Sequence, residues 1–563
     1  MATAKIYWGF NAAGTTLKIS SSSSSPATNL WTQDDAYIES PPWQNGSYNI
    51  SAVTTLTFAG PPAPLFTYEW FKNFTGLISP GTININMKKV TDASYMFSGC
   101  SNLTTLALNT TNFCLSKIET TRDMFKNCKN LSSLTTTAAC WTTTAATLED
   151  AQSMFECCYK LSNFSFLPKI KTSSVLRNVG GMLGGVGCMS GAEKTTVDLT
   201  GWDLSNINGS SGGIFDGNSY DAVNGTTPIE VTVTNMILGN QLDGSNYLIN
   251  RAFGGACTYH YDSSTSQWMG AVGIGSFIGL DTVNTSNLVN MNEMFSRCTY
   301  YGCDIDISSW DVSNVKSVRW FYSEPDSVSS STTKLNLSGC IFSSLENAER
   351  MFKFNGEELN LTGTDFSNLK YCNYTFMGSD MSKIIFDNIK FSNKLQSLNY
   401  TFYRTKNFDW KILDHFDISN VRQLLYCFSE TTQIRGDSII LPFEFNNLTS
   451  ISSAFKDSSV RFISITGLAK SPITDISWAF NNCSNLETIY TGGAIIDWSN
   501  ATNGGLVFTG CTSLVGGSGT TYSSSGVEDK SYARCDLVKG NAGITADQKG
   551  YFSAALTMNH CLA

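Results

Sequence analysis

The side chains best placed for chemistry are two carboxylates that alternate along one short segment. Asp304 and Asp306 flank Ile305, and residues two apart on a strand project from the same face. Such a pair could bind Ca²⁺ or serve as the two carboxylates of a glycosidase. The other interpretation, which we prefer, is a solvated strand face beside the buried side chains of Ile305 and Ile307.

Other catalytic arrangements find little support in the residue types. The three histidines, His260, His415 and His560, lie far apart in the chain, so neither a Ser-His-Asp triad nor a zinc site can be argued from their spacing. The glycine-rich stretch 180–187 lacks the lysine of a phosphate-binding loop. We therefore predict no catalytic residue, no metal ligand and no cofactor.

Aromatic residues in an irregular part of the chain are the candidates for ligand binding. They stand near Ser, Asn and Asp, and could stack on sugars or anchor a protein partner. The other interpretation, which we prefer, is that they cover glycine-rich repeats whose interior is poorly filled. The candidates are Tyr247, Tyr259, Tyr261 and Trp268.

These residues belong to a chain that repeats one unit throughout. The stretch Ala93 to Leu108 returns in variant form, and an aromatic or leucine that we call the ladder aromatic marks each copy, mostly 24 to 31 residues apart. A unit of this size cannot bury its own apolar face, so neighbouring units must cover each other. The marks are Phe71, Phe97, Phe125, Phe155, Leu183, Phe215, Phe253, Phe295, Phe321, Phe352, Phe376, Phe402, Phe428, Phe455, Phe480 and Phe508.

Two further positions recur in register with the ladder aromatic. A small residue, often cysteine, follows it by three, and a leucine follows it by six. We predict that these residues form a structural ladder inside the protein, where cysteine serves as a small apolar side chain. Besides the aromatics, the ladder comprises Cys100, Leu103, Cys128, Leu131, Cys158, Leu161, Cys298, Cys483, Leu486, Cys511 and Leu514. Cys157 is expected to face a loop.

Each copy also contains a short apolar-x-apolar block, such as Leu106 with Leu108 or Leu335 with Leu337. Its period of two predicts a short strand with one buried face. The segment before the ladder aromatic, such as Val90 to Phe97, has near-helical spacing and predicts one turn of 3₁₀ or α-helix. The expected fold is a leucine-rich-repeat-like solenoid. It is a β-dominant α/β repeat with one parallel sheet of short strands and helical or 3₁₀ turns on the opposite face.

The units resemble the BspA-like leucine-rich-repeat surface proteins. The resemblance rests on D-x-S-x-M-F-x-x-C-x-x-L at Asp92 to Leu103, on W-D-x-S-N-V at Trp310 to Val315, and on the CTSLV and GYFS strings near the C-terminus. It covers roughly residues 70 to 555. The resemblance implies the repeat fold, surface display and binding of proteins or host components, and it transfers no catalytic residues.

We predict three segments: an N-terminal arm and cap at 1–70, the repeats at 71–515 with an irregular part at 179–292, and a C-terminal cap at 516–563. The first segment is rich in Pro and Ser and contains Trp8, Trp31, Trp43 and Trp70. It is either a plain cap over the first repeat or an anchoring arm whose tryptophans fill separate pockets on neighbouring structural proteins.

Composition limits the partners. The net charge is −9, which argues against nucleic acid, and no apolar window approaches the length of a membrane span. The N-terminus lacks the charged start and apolar run of a signal peptide. We expect a non-enzymatic recognition or structural protein on a virion surface, foremost a bacteriophage fibre, decoration or receptor-binding protein. The alternative is a cell-surface adhesin for host proteins or glycans, and a tailspike-like enzyme comes third. A homo-oligomer is compatible with all three.

We expect most of the seventeen cysteines to be thiols, because ladder cysteines act as small core residues and need no partner sulfur. Thiol counting under denaturing, non-reducing conditions should find no more than about two or three disulfides. A count of about seven or eight bridges, pairing nearly every cysteine, would contradict the ladder interpretation.

Overall fold

The computed structural model describes residues 3–34, 36–136, 138–141, 147–170, 172, 175–207, 213–216, 227–239, 252–253, 259–262, 267–270, 273–298, 302–323, 332–441, 445–523, 528–539 and 546–554. Within these residues the fold is β-dominant, and a single short α-helix, α1, spans Ala138–Trp141. The β-dominant part of the sequence prediction is confirmed. Several sheets of short parallel strands give an arrangement compatible with a repeat-like fold.

The chain separates into two compact units. The first comprises Met1–Asp311 and Glu324–Thr333, and the second comprises Val312–Ser323 and Lys334–Ala563. The first unit therefore contains the predicted 1–70 segment and the second contains the predicted 516–563 segment, while the predicted 71–515 segment is divided between them.

The strands of the first unit are short beyond the N-terminal region. They are β1 (Thr3–Phe10), β2 (Thr16–Ser20), β3 (Asn29–Asp34), β4 (Thr55–Ala59), β5 (Thr82–Ile83), β6 (Thr105–Leu108), β7 (Ser133–Thr135), β8 (Asn163–Phe164), β9 (Thr195–Asp198), β10 (Asp203–Leu204), β11 (Ile229–Thr232), β12 (Ile237–Leu238), β13 (Tyr259–Asp262), β14 (Gln267–Gly270), β15 (Ile274–Ile278) and β16 (Asp304–Asp306). Its 3₁₀ helices are Pro42–Gln44, Ile50–Ala52, Met87–Lys89, Leu167–Lys169 and Leu280–Thr282.

The second unit contains strands of two or three residues each. They are β17 (Tyr322–Ser323), β18 (Lys334–Asn336), β19 (Phe352–Lys353), β20 (Glu358–Asn360), β21 (Asp365–Phe366), β22 (Ile384–Ile385), β23 (Lys390–Phe391), β24 (Ser438–Ile440), β25 (Phe462–Ser464), β26 (Thr488–Tyr490) and β27 (Phe552–Ser553). Its 3₁₀ helices are Met381–Lys383, Trp410–His415, Arg435–Asp437, Thr466–Leu468 and Lys530–Tyr532.

Parallel pairing brings equivalent residues of successive copies side by side. Leu335 pairs with Leu359, which pairs with Ile384, along β18, β20 and β22. Ile439, Ile463, Ile489 and Phe552 align in the same way along β24 to β27. Such alignment buries one side chain of each strand against its neighbour. The described strands form several sheets instead of the one sheet predicted, and between β22 and β24 the chain forms the 3₁₀ helix Trp410–His415.

The copies are joined most regularly at the segment around the ladder aromatic. The N–H groups of Tyr95, Phe97 and Gly99 donate to carbonyl groups of the next copy at N···O distances of 2.8 to 2.9 Å. The intervening N–H groups of Met96 and Ser98 instead donate to carbonyls three residues back in their own copy. In this segment, N–H groups therefore bond alternately between copies and within them, and the inter-copy bonds of Tyr95, Phe97 and Gly99 all run from one copy to the next.

This alternation corrects the predicted helical turn at Val90 to Phe97. The segment forms consecutive turns, because Tyr95 adopts the left-handed conformation at φ 59° and Gly99 does so at φ 75°. A residue with positive φ ends a right-handed helix. The two residues on either side of each ladder aromatic, at minus two and plus two, repeat this conformation in most copies, as at Tyr400 and Arg404.

The ladder aromatics stack on one another within each unit. The Phe97 and Phe125 rings lie 5.5 Å apart at an interplanar angle of 3°, and Phe376 and Phe402 lie 6.0 Å apart at 4°. The predicted ladder residues in the described chain are at most 3% exposed. One mark is displaced: Tyr322, and not Phe321, pairs in register with Phe352.

The ladder cysteines are not only small core residues, because their thiol groups also donate hydrogen bonds to the preceding copy. The Sγ of Cys100 donates to the Phe71 carbonyl of the preceding copy at 3.0 Å, and Cys483 donates to Phe455 at 2.8 Å. Cys128, Cys158 and Cys511 make the equivalent contact. Burial raises the pKa of the Cys100 and Cys511 thiols to about 12, so the reactive thiolate is suppressed.

Residues 3–59 include a sheet that begins the first unit. Its strand order is β3-β1-β2-β4; β1 is antiparallel to β2 and β3, whereas β2 is parallel to β4. Beneath it the Trp43 ring lies 5.6 Å from each of the rings of Trp8, Trp31 and Trp70. The interpretation of these tryptophans as anchors spaced along an extended arm is therefore wrong, because they form one buried cluster.

The same region supplies hydrogen-bond donors to the first copy. In the second copy, the carbonyls of Asp92, Met96 and Ser98 accept N–H groups from the first. The first copy has no predecessor, and its corresponding carbonyls accept side-chain donors. These bonds are Gln33 Nε2 to Phe66 O at 2.8 Å, Trp43 Nε1 to Trp70 O at 2.6 Å, and Gln44 Nε2 to Lys72 O at 2.9 Å.

Residues after Phe508 cover the last copy of the second unit. The Phe508 N–H donates to the Glu528 carbonyl at 2.9 Å, where earlier ladder aromatics donate to a following copy. β27 completes the sheet beside β26. Asp536 ties the intervening loop, since its carboxylate accepts from the backbone N–H groups of Ser518 and Thr520.

Replacing Phe402 by alanine should lower the free energy of unfolding by about 3–5 kcal/mol, because the ring is fully buried between the Phe376 and Phe428 rings. Urea unfolding followed by fluorescence would measure it. Tyr371→Ala, at a side chain 37% exposed, is the control and should cost far less. Equal losses for the two variants would contradict the stacking role.

Replacing Gln33 by methionine should destabilise the first copy by about 2–5 kcal/mol. The side chain is fully buried, donates to Phe66 O and accepts from Leu65 N, so its loss leaves two backbone groups unsatisfied. The exposed Gln423→Met is the matched control. Hydrogen exchange should show earlier opening of residues 65–75 in the Gln33 variant alone; unchanged exchange there would show that the cap bonds contribute nothing.

Candidate functional site

The acidic pair at Asp304 and Asp306 is engaged in local structure. Both side chains are exposed and flank the buried Ile305. The Asp306 carboxylate accepts from the Ser308 N–H at 2.9 Å and from its hydroxyl at 2.7 Å, closing a turn after the strand. Across the part of the chain that the structure describes, no three His, Cys, Asp or Glu residues are grouped for metal binding.

The aromatic candidates of the irregular segment are only partly described. Tyr247 lies outside the described residues, as do the side chains of Tyr259, Tyr261 and Trp268. Their backbone forms two antiparallel strands, β13 and β14, in which Tyr261 stands opposite Trp268. They remain predictions.

A surface cavity next to β23 contains His415 with Asp414 and Asp417. The His415 ring stacks on Phe386 at 6.1 Å, and the Asp417 carboxylate accepts from the backbone N–H and hydroxyl of Ser419. Packing and turn formation account for these groups, and they converge on no common point that would identify a reacting atom.

The structure reveals a different aromatic surface in the second unit. Tyr374, Tyr400 and Tyr426 stand two residues before three successive ladder aromatics. Their rings are stacked, with centroids 4.4 and 4.7 Å apart and interplanar angles of 9°. All three are half-buried. Because both faces of the Tyr400 ring are covered by its neighbours, ring edges and hydroxyl groups face outward.

A cationic side chain lies next to the tyrosine stack at each of its two ends. The Arg350 guanidinium lies 4.6 Å from the Tyr374 ring centroid and 5.1 Å from that of Trp320. Beyond Tyr426, the ammonium group of Lys456 lies 5.9 Å from the ring of Trp478. We call the whole line the aromatic row; its members are Trp320, Arg350, Tyr374, Tyr400, Tyr426, Lys456 and Trp478.

Polar groups beside the row are paired with one another. The Tyr403 hydroxyl donates to Glu430 at 2.6 Å, and the Arg404 Nε donates to the same carboxylate at 2.8 Å. Burial and the bond to Glu430 raise the pKa of Tyr403 to about 12. Burial opposes ionisation of Glu430, but bonds from Arg404 and Tyr403 outweigh it and lower its pKa. The carboxylate thus stays charged and occupied.

The central tyrosine of the row stays neutral near physiological pH. Burial and the adjoining phenols of Tyr374 and Tyr426 raise the pKa of Tyr400. Neutral hydroxyls can donate and accept hydrogen bonds, so the row combines apolar ring edges with regularly spaced polar groups. An arrangement of this kind has the mixed polar and apolar character of protein interfaces.

The backbone places these side chains at the surface. Tyr374, Tyr400 and Tyr426 have φ values between 52° and 58°, a conformation that is uncommon for bulky residues. In the first unit the corresponding positions include Tyr95, Asp123 and Ser153. The sequence signal for the row is N-Y-T-F at 373–376 and 399–402 and L-Y-C-F at 425–428. These strings lie in regular copies, whereas the predicted binding residues lie in the irregular segment.

Comparison with protein families identifies the repeats. The family described as "Mycoplasma protein of unknown function, DUF285" matches residues 67–166, 273–388 and 370–492, together more than half of the chain. The chain belongs to the DUF285 family. No curated protein matches the sequence.

The aromatic row lies within the DUF285 portion. Trp320 and Arg350 fall in the match at 273–388, and the tyrosines and Trp478 fall in the match at 370–492. The candidates from Tyr247 to Trp268 lie between DUF285 matches. Over the described residues, no helix has both the length and the apolar character needed to cross a bilayer.

Replacing Asp304 and Asp306 together by asparagine should leave biological activity unchanged, because the amide oxygen of an asparagine at position 306 can accept the same turn bonds from Ser308. Reducing-sugar release from host glycans, tested with wild type and the double variant, is the measurement. Release by the wild type that disappears in the variant would establish a glycosidase and contradict the expectation.

Proposed function

We propose that this DUF285 chain is a non-enzymatic recognition protein displayed on a surface, and that the aromatic row contacts a partner protein. The observation that carries the proposal is the stack Tyr374, Tyr400 and Tyr426, ordered and half-buried before any partner arrives. Tyrosine, tryptophan and arginine dominate the binding energy of protein interfaces. Side chains already held in place lose less conformational entropy on binding.

The geometry favours a protein partner over a glycan. Sugar rings pack against the open faces of aromatic rings, but the faces of Tyr400 are covered by Tyr374 and Tyr426. Hydroxyl groups and ring edges instead suit the mixed polar and apolar surface of a protein. A glycan on a host or neighbouring cell remains the alternative ligand.

We further propose that the copies form a leucine-rich-repeat-like solenoid of the BspA type. The directional backbone bonds between copies, the stacked ladder aromatics and the parallel pairing of equivalent strand residues support this within each unit. Repeats that contact only their neighbours make extended surfaces, such as a row of equivalent side chains.

Two places of display are proposed. The first is a virion, foremost of a bacteriophage, with residues 1–70 in contact with neighbouring structural proteins. The second is the surface of a cell, where the chain would act as an adhesin; the family description, which names Mycoplasma, supports a cellular source. Immunogold labelling of cells and released particles from the same culture would distinguish them.

Binding of the labelled chain to intact cells of the source culture tests the recognition surface. Tyr400→Asn should reduce binding by about tenfold or more, since the central ring of an interface contributes most. Asparagine tolerates positive φ, so the backbone is retained. The matched control is Tyr95→Asn, at the equivalent left-handed position of the first unit, which should bind normally.

Protease and periodate treatment of the cells separates the two ligand classes. Binding that protease abolishes and periodate spares supports a protein partner. Binding that survives protease and is lost after periodate would show that the ligand is a glycan. Equal binding by Tyr400→Asn and wild type would show that the row is not the recognition surface.

A further inference from the structure

The aromatic row has the same order of chemical groups when read from either end. Trp320 stands three copies before Tyr400 and Trp478 stands three copies after it. Between each tryptophan and the central tyrosines lies a cation: Arg350 over the Trp320 ring, and Lys456 over the Trp478 ring. Tyr374 and Tyr426 flank the centre on either side. Arg350 occupies the left-handed position of its copy, whereas on the other side Ser453 occupies that position and Lys456 follows it by three residues. The order of chemical groups is therefore palindromic about Tyr400.

A palindromic patch meets itself when two copies pair about a twofold axis. In an isologous dimer, each residue on one side of the axis contacts its counterpart from the other side. With the axis at Tyr400, Tyr374 of one copy would lie opposite Tyr426 of the other. Arg350 of one copy would lie opposite the part of the second row that contains Lys456.

Each cation has an ion-pair partner: Glu349 lies 3.8 Å from Arg350, and Asp457 lies 2.8 Å from Lys456. Glu349 also lies 3.9 Å from Arg319, so one carboxylate serves two guanidinium groups at that end. In the dimer, the Asp457 carboxylate of one copy would face the Arg350 end of the other and can supply a further negative charge.

The spacing of the row also favours a second copy. The tyrosine centroids lie 4.4 and 4.7 Å apart. Side chains on one face of a helix repeat about every 5.4 Å, and those on one face of an extended strand repeat about every 6.6 Å. Neither spacing matches the spacing of the tyrosine rings. A surface built on adjacent strands repeats at about 4.7–4.9 Å. Another aromatic row has that period over the same number of copies.

We infer that the partner recognised by the aromatic row is a second copy of this chain, with the two rows antiparallel and Tyr400 on the twofold axis. This inference rests on the proposed function of the row and adds the identity of its partner. The tyrosine edges meet at the centre, the charged groups at Arg350 and Lys456 lie on either side of them, and Trp320 and Trp478 lie at the two ends. Recognition between surfaces is then homophilic.

Sedimentation velocity of the full-length chain, from nanomolar to high micromolar concentration, tests the inference. Wild type should show a reversible monomer–dimer equilibrium. Tyr400→Arg and Tyr400→Glu should each raise the dissociation constant by about 30-fold or more, because like charges then meet on the axis. Arginine and glutamate both occupy left-handed positions elsewhere in this chain, at Arg404 and Glu69. Tyr95→Arg is the matched control and should dimerise like wild type.

The decisive measurement is an equal mixture of Tyr400→Arg with Tyr400→Glu. It should recover the dimer, since opposite charges meet only where Tyr400 faces Tyr400 of the second copy. Circular dichroism confirms that each variant is folded. If these variants do not fold, the double variant Tyr374→Arg with Tyr426→Glu should still dimerise, whereas Tyr374→Arg with Tyr426→Arg should not.

Three results would overturn the inference: a wild type that stays monomeric, a dimer unaffected by Tyr400→Arg, or a charge-paired mixture that stays monomeric. The cell-binding assay keeps the proposed function separate. A monomeric wild type whose cell binding falls in Tyr400→Asn would retain the row as a recognition surface and exclude only the second copy as its partner.

Discussion

Directional hydrogen bonding between copies is the constraint on which the rest of this structure depends. The N–H groups of Tyr95, Phe97 and Gly99 donate forward, and those between them turn back within the copy. This alternation requires left-handed residues around each ladder aromatic. Buried backbone groups must be paired, so the pattern determines the spacing of the copies, the stacking of the phenylalanines and the outward position of the tyrosines.

The carbonyl groups of the first copy explain why the chain begins with a different fold. Without a predecessor they would be buried and unpaired, at a cost of about 1–3 kcal/mol each. Gln33, Trp43 and Gln44 provide the missing donors from the N-terminal region. The tryptophans that sequence reasoning treated as possible anchors are instead the packed base of this cap.

The residues that recur at fixed intervals could be predicted from the sequence, but the backbone conformation around them could not. Phenylalanine, cysteine and leucine recur at set offsets, so the ladder around Phe97, Cys100 and Leu103 could be predicted from spacing alone. The conformation of Tyr95 could not, because near-helical apolar spacing is shared by a helix and by consecutive turns. The thiol bond from Cys100 to Phe71 O joins residues of two copies and has no local signature. The repeated tyrosines of the aromatic row lie in regular copies, whereas insertions are where binding residues are usually expected in repeat proteins.

The polarity of the backbone bonds also limits how such a chain can change in length. Around the ladder aromatic, an interior copy accepts through its carbonyls from the copy before it and donates through its N–H groups to the copy after it, so a duplicated or deleted copy leaves both neighbours with compatible partners. The first copy accepts from Gln33, Trp43 and Gln44, and Phe508 donates to Glu528, so neither end is interchangeable with the middle. Evolution by unequal recombination would therefore be confined to the interior. Duplication or loss of a copy that contains Tyr374, Tyr400 or Tyr426 would lengthen or shorten the stack of tyrosines by one ring, and the two ends of the chain would need no change.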